Sequence, residues 1–260
     1  MRSMAALCSA VLVCLSALLS VGSSGGLPDI SDPQFIQSCV KLHNTHRSQA
    51  QPPARDMQYM TWDEALAKSA KSWAKKCQAS HNPLLKQAGK LHPEFPRVGE
   101  NIWVGLPVSS FSVENALRAW NDERQHYTLR TNTCNKTCGH YTQLLWAKSY
   151  KVGCAVLPCP RGITGFSDSP KAGIFVCNYG EGGNLAGAAP YTEGPSCAVC
   201  SKDHCESNLC RDPKRDAVKT HDWSLPVDSS SSALSIFQRT AATSQSQSLM
   251  VLFLVLVSVY

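Results

Sequence analysis

The sequence predicts an α+β domain, stapled by disulfides, with a small cysteine-rich module behind it. Three observations carry this. Three segments in the first half of the 260 residues place apolar side chains at helical spacing. Two runs in the second half alternate with the period of a strand. The cysteines number 13, too many for a reducing compartment.

The first helix opens at Asp32-Pro33, with Asp as cap and Pro at the first helical position. Phe35, Cys39, Leu42 and His46 recur at helical spacing, as do Ile36, Val40 and His43, and Pro52-Pro53 ends the segment. Thr61-x-x-Glu64 reads as a capping box starting a second helix, with Trp62, Leu66, Ala70, Trp73 and Cys77 on one face. Asp63 and Glu64 at its start and Lys75 and Lys76 at its end suit the helix dipole. A polar loop rich in Lys and Pro leads to Gly99-Glu100-Asn101-Ile102-Trp103. Ser112 caps a third helix whose apolar face is Val113, Ala116, Leu117 and Trp120. At about 100° per residue, Glu123 falls on the margin of that face and points along the core edge into a cleft. Residues 151–156 and 173–179 are the strand-like runs, the second setting Ile174, Val176 and Asn178 against Phe175, Cys177 and Tyr179. A Pro/Gly/Ser loop, 158–172, joins them, and a Gly/Pro-rich linker follows. Cys197-x-x-Cys200-x4-Cys205-x4-Cys210 is too short to build an apolar core and reads as a disulfide-stapled module.

Both ends carry processing signals. Residues 1–22 hold Arg2, an apolar run and small residues, the pattern of a secretory signal peptide. Cys8 and Cys14 leave with it, so 11 cysteines remain, an odd count that leaves at least one without an intramolecular partner. Residues 213–248 turn to Ser, Thr, Gln and Ala and read as a flexible stalk. Residues 249–260 are almost wholly apolar, shorter than the about 20 residues that span a bilayer. After a polar spacer and small residues, they match a lipid-anchor (GPI) signal. A short membrane span and a fully secreted form are the alternatives. Asn135-Lys136-Thr137 is a glycosylation sequon and implies an exposed loop. Basic residues exceed acidic ones by 25 to 19, for a net charge of +6. Spread along the chain, this excess excludes nucleic acid as a partner.

The chemistry concentrates in Gly139-His140-Tyr141-Thr142-Gln143-Leu144-Leu145-Trp146-Ala147-Lys148-Ser149. With Phe175-Val176-Cys177-Asn178-Tyr179-Gly180-Glu181-Gly182-Gly183-Asn184-Leu185 and Gly99-Glu100-Asn101-Ile102-Trp103, it resembles the signatures of the CAP superfamily: cysteine-rich secretory proteins, antigen 5 and pathogenesis-related 1. Glu181 departs from the pattern, which usually carries Pro or another residue type there. The run Asp56-Met57-Gln58-Tyr59-Met60-Thr61-Trp62-Asp63 and Cys134-x-x-x-Cys138 resemble the glioma pathogenesis-related subgroup. The tail favours its 1-like members, which are associated with the sperm surface and egg binding.

The resemblance implies an α-β-α sandwich with a central antiparallel sheet over 32–185 and a hinge module over 186–212. It implies the disulfides Cys77–Cys159, Cys154–Cys177, Cys197–Cys205 and Cys200–Cys210. Of the cysteines left, we expect Cys134–Cys138 to bond and Cys39 to stay free. The resemblance also implies a cleft tetrad that matches His81, Glu100, Glu123 and His140. Two imidazoles, His81 and His140, can bind Zn²⁺, with Glu100 and Glu123 orienting the rings. The same four residues can equally form a buried hydrogen-bond network without metal. His43 and His46 are read as capping surface or core, and Trp103, Trp120 and Trp146 as core. Ser80, beside His81, is not placed for nucleophilic attack by adjacency alone.

Three functions compete. The first is a non-enzymatic protein binding a partner on another cell surface, supported by anchor, stalk and disulfides. The second is sterol or lipid carriage, implied by the resemblance. The third is a zinc-dependent hydrolase, for which the sequence lacks a His-Glu-x-x-His helix.

Overall fold

The computed structural model describes residues 26–200 and 204–225. The signal peptide, most of the stalk and the apolar tail lie outside these residues. Helix α1 is Pro33–Ser48, with the Asp32 carboxylate accepting from the amides of Gln34 and Phe35. It ends four residues before Pro52. Strand β1, Thr61–Trp62, precedes α2, Glu64–Ala74. Strand β2 is Gly99–Gly105, and α3 is Val113–Asp122, capped by the Ser112 hydroxyl. A 3-10 turn, Glu123–His126, leads to the small hairpin β3, Tyr127–Thr128, and β4, Thr133–Cys134. Helix α4 is Gly139–Leu144. Strands β5, Lys151–Pro158, and β6, Gly173–Gly180, form the centre of the sheet. A hairpin of β7, His204–Glu206, and β8, Leu209–Arg211, and a final turn of helix α5, Pro213–Asp216, complete the described chain.

The sheet order is β1-β5-β6-β2. The β5–β6 and β6–β2 pairs are antiparallel, and the two-residue β1 adds a parallel edge. The alternation of β6 sorts the layers. Phe175, Cys177 and Tyr179 join Val152, Cys154 and Val156 of β5 under α1 and α3, around Phe35, Leu117 and Trp120. Ile174 and Val176 face Ala70 and Ala74 of α2 with Ala155. Every residue of β6 is buried, as a strand covered on both faces must be. The three-layer α-β-α sandwich is therefore built from helices on both faces of one sheet. At Gly153 a Cβ would lie 2.1 Å from the backbone nitrogen of Ala67, so the missing side chain lets α2 settle on β5.

The capping box is corrected. Thr61 and Trp62 pair with Lys151 and Val152 as sheet edge, and Asp63 caps α2, its Oδ1 accepting from Leu66 N at 2.9 Å. Trp62 thus lies outside the helix, against the α1 side of the sheet. The start of the stalk is corrected too: residues 213–225 hold α5 and a segment bonded back to the domain, through Lys151 to Ala217 and Lys219 to Glu94.

All five expected disulfides form, and Cys39 is free and buried. Trp120 and Trp146 are buried, while Trp103 is half-buried. The cysteine module is not a separate bead. Leu209 joins a cluster with Ala50, Met57, Tyr141 and Leu145, and Cys210 exchanges backbone hydrogen bonds with Met57 and Tyr59.

Candidate functional site: an imidazole–carboxylate cleft

The residues expected to form the tetrad come from four different places. His81 lies in the loop after α2, Glu100 on β2, Glu123 just past α3, and His140 on the first turn of α4. They meet as two pairs. His81 Nδ1 is 2.9 Å from Glu100 Oε1, which also accepts from the amide of Asn82 at 3.0 Å. His140 Nδ1 is 2.6 Å from Glu123 Oε1, while Glu123 Oε2 accepts from the amides of His140 and Tyr141 at 2.9 and 3.2 Å. The second pair thus also satisfies the open N-terminal amides of α4. Trp120 stacks on the His140 ring at 6.0 Å and 15°, fixing its plane.

An ionised carboxylate only accepts, so Nδ1 of each ring carries a proton, and in the neutral ring Nε2 would present the lone pair. That is the tautomer a metal-binding imidazole needs. The hydrogen bond to Glu100 holds the His81 imidazole above its ordinary value, against burial. Burial pushes the Glu123 carboxyl up, but the bonds from His140 and the two amides outweigh it and leave the carboxyl below the ordinary range. Glu100 Oε2 is buried without a hydrogen-bond partner. Beside it opens a cavity of about 170 Å³ lined by His81, Lys86, Arg97, Glu100, Gln143 and Asn184. His81 and the unpartnered Glu100 oxygen border this cavity, whereas His140 and Glu123 do not line it.

The network behind the cleft was not legible in the sequence. Asn101 Nδ2 donates to the carbonyl of His140 at 3.0 Å and to the Tyr179 hydroxyl at 3.2 Å. Tyr179 is 3.0 Å from Nε2 of His43, whose Nδ1 is 2.7 Å from the Cys39 carbonyl. Nδ1 must therefore donate and Nε2 accept. This buried chain links α1, β6, β2 and α4. Gln143 spans the floor, donating to Ser149 Oγ and accepting from Gly183 N, and it fills the space where a side chain at residue 99 would stand. Asn184 ties the loop after β6 to α4 through the Gly139 carbonyl and Thr142 Oγ1.

Three groups of ligand-type atoms lie within 4.8 Å of one another among the described residues, none of them drawn from the four cleft residues: His43 with Cys154 and Cys177; Cys197 with Cys200 and Cys210; and Asp63 with His92 and His221. In the first two every cysteine is disulfide-bonded and has no thiolate to offer.

The profile described as "CAP: Cysteine-rich secretory protein family" matches residues 40–179, which include all four cleft residues. The chain belongs to the CAP family. GLIPR1-like protein 1 of Bos taurus is 48% identical over 189 residues, covering 73% of this chain and 76% of its own length. Glioma pathogenesis-related protein 1 of Mus musculus is 44% identical over 225 residues, covering 83% of each. Among solved structures, that of NaASP2 with Zn²⁺ is similar, with a TM-score of 0.55, 27% identity, and coverage of 72% of this chain and 100% of that one. The helices and sheet that position the cleft are therefore those of a CAP domain. Among the described residues, no helix is long and apolar enough to cross a membrane.

Proposed function

We propose that this CAP protein is a non-enzymatic recognition protein of the cell surface, held there by a C-terminal lipid anchor. It binds a protein partner on another cell, with a cleft that takes a divalent cation, zinc foremost, on His81 and His140. One observation carries the reading: each imidazole is held through Nδ1 by its own carboxylate, which leaves Nε2 of the neutral ring as the available ligand atom. Glu123 is saturated, with one oxygen on His140 and the other on two amides, so it holds a ring instead of removing protons. NaASP2, a protein of similar fold, has been solved with Zn²⁺, and that likeness supports zinc here. Asn135, exposed beside the Cys134–Cys138 bond, is the expected glycan site. We infer a partner on the egg surface from the resemblance of the sequence to the 1-like subgroup.

Phosphatidylinositol-specific phospholipase treatment of intact expressing cells tests the anchor. Release into the medium is expected; retention with an intact C-terminal peptide would show a membrane span. The released protein should bind opposing cells without cleaving them. Zinc-stimulated hydrolysis that disappears in His140→Ala would replace this reading with a metallohydrolase.

A further inference from the structure

Beyond α5 the chain turns back over the domain. The Ala217 carbonyl accepts from Lys151 Nζ at 2.7 Å, and Lys219 pairs with Glu94 at 2.6 Å. The His221 ring then enters between two carboxylates: its Nε2 is 3.5 Å from Asp63 Oδ2 and its Nδ1 3.8 Å from Glu94 Oε1. Leu225 ends on the apolar cluster of Leu66, Leu91, Phe95 and Val98. The His221 side chain is 10% exposed, and Nε2 is buried without a hydrogen bond.

Both ring nitrogens of His221 thus face carboxylate oxygens. A neutral imidazole has one N–H and one lone pair, so one nitrogen would aim a lone pair at an anion. Only the imidazolium can donate from both. His92 closes the other side of Asp63. Its Nδ1 accepts from the amides of Glu94 and Phe95, each at 3.1 Å, so its proton sits on Nε2, which is 3.2 Å from Asp63 Oδ1. His92 is therefore neutral, and it cannot give Nε2 to a metal without placing a proton against two backbone N–H groups. The cluster of Asp63, His92 and His221 suits a proton better than a metal ion. The other charges acting on this cluster are Lys151 on β5, which interacts with Asp63, and, on the segment itself, Lys219, which interacts with Glu94 and Asp63; Asp222 is exposed.

We propose that residues 217–225 form a proton-operated strap, fastened to the N-terminus of α2 when the His221 imidazolium bridges Asp63 and Glu94 and loosened when it loses its proton. An extended chain spans about 3.3–3.6 Å per residue, so releasing this segment lengthens the tether by up to about 30 Å. In a protein anchored beyond residue 225, which rests on the lipid-anchor reading, that sets how far the cleft stands from the membrane.

Hydrogen exchange of the 217–225 peptide in the full-length protein, corrected for intrinsic rates, tests the strap at pH 5.5 and 8.0. Protection is expected to fall about fivefold at the higher pH, the upper end for a partly exposed ion pair. His221→Gln should lower protection at pH 5.5 and remove the pH dependence, and Glu94→Gln should reduce it in part, with β5 and β6 unchanged in both. Protection independent of pH in the wild type, pH dependence that persists in His221→Gln, or protection that follows added zinc in place of pH would each overturn the proposal. Phospholipase release does not enter this readout, so the strap and the anchor fail separately.

Discussion

At the residue scale the most heavily engaged side chain is Arg47. It is fully buried at the end of α1, and its guanidinium donates to the carbonyls of Gln58, Leu144, Trp146, Ala147 and Ser149. It fixes the turn that carries the chain from α4 into β5. Burial lowers its pKa to about 9, still cationic at neutral pH. Replacing it with Met leaves those carbonyls unserved and should cost about 3–5 kcal/mol in denaturant unfolding with disulfides intact. Arg47→Lys should recover only part, because three donors on a point charge cannot serve a fan of carbonyls. Nothing in the sequence marks this residue: an Arg near a helix C-terminus reads as a solvated dipole partner, and its acceptors lie up to about a hundred positions away. His140 and Glu123 are legible because the motif and the helix-edge position each flag them. Asp63 reads in sequence only as a first-turn charge, since its partners His92 and His221 are joined to it by the fold alone.

At the scale of elements, the helices are more legible than the sheet. Caps are local chemistry, and Asp32 and Ser112 sit where the spacing places them. Strand β1 is hidden because Thr61-x-x-Glu64 also fits a capping box, and the parallel pairing with β5 decides between them only in three dimensions. Strand β2 has small and polar residues at its start, so its alternation is faint. The α2–β5 contact gives a direct test. Gly153→Ala would set a Cβ against backbone atoms of Asp63, Leu66 and Ala67, which cannot yield as a flexible side chain does. A loss of about 2–3 kcal/mol in unfolding free energy is expected. The chain of Cys39, His43, Tyr179 and Asn101 gives a second. Burial drives the His43 pKa down to about 3, against an ordinary value of 6.5. The unfolded chain therefore takes up this proton first as pH falls. Its contribution to stability is complete above about pH 6.5 and is lost toward pH 3, by up to about 1.4 kcal/mol per pH unit. Unfolding curves between pH 7 and 3 should show this slope, and His43→Gln should flatten it.

At the scale of the whole molecule, the cysteine module and the chain after it complete the domain's surface. Leu209 and Cys210 cover Met57, Tyr141 and Leu145, and Leu225 covers Leu91 and Phe95. The composition suggests a detachable hinge and stalk because a short cysteine-dense run builds no core of its own. The structure lends it the core of the domain instead. A chain ending at residue 195 should therefore unfold at a lower temperature than one ending at 225, by several degrees in calorimetry. The cleft is the point on which this architecture converges, and zinc binding tests it most directly. Calorimetric titration of the full-length protein with Zn²⁺ should show a site that Glu123→Gln weakens about 10- to 100-fold. The His81→Ala/His140→Ala double variant should abolish it, and His221→Gln should leave it intact. Binding that persists undiminished in the double variant would contradict the assignment of the cleft as the cation site.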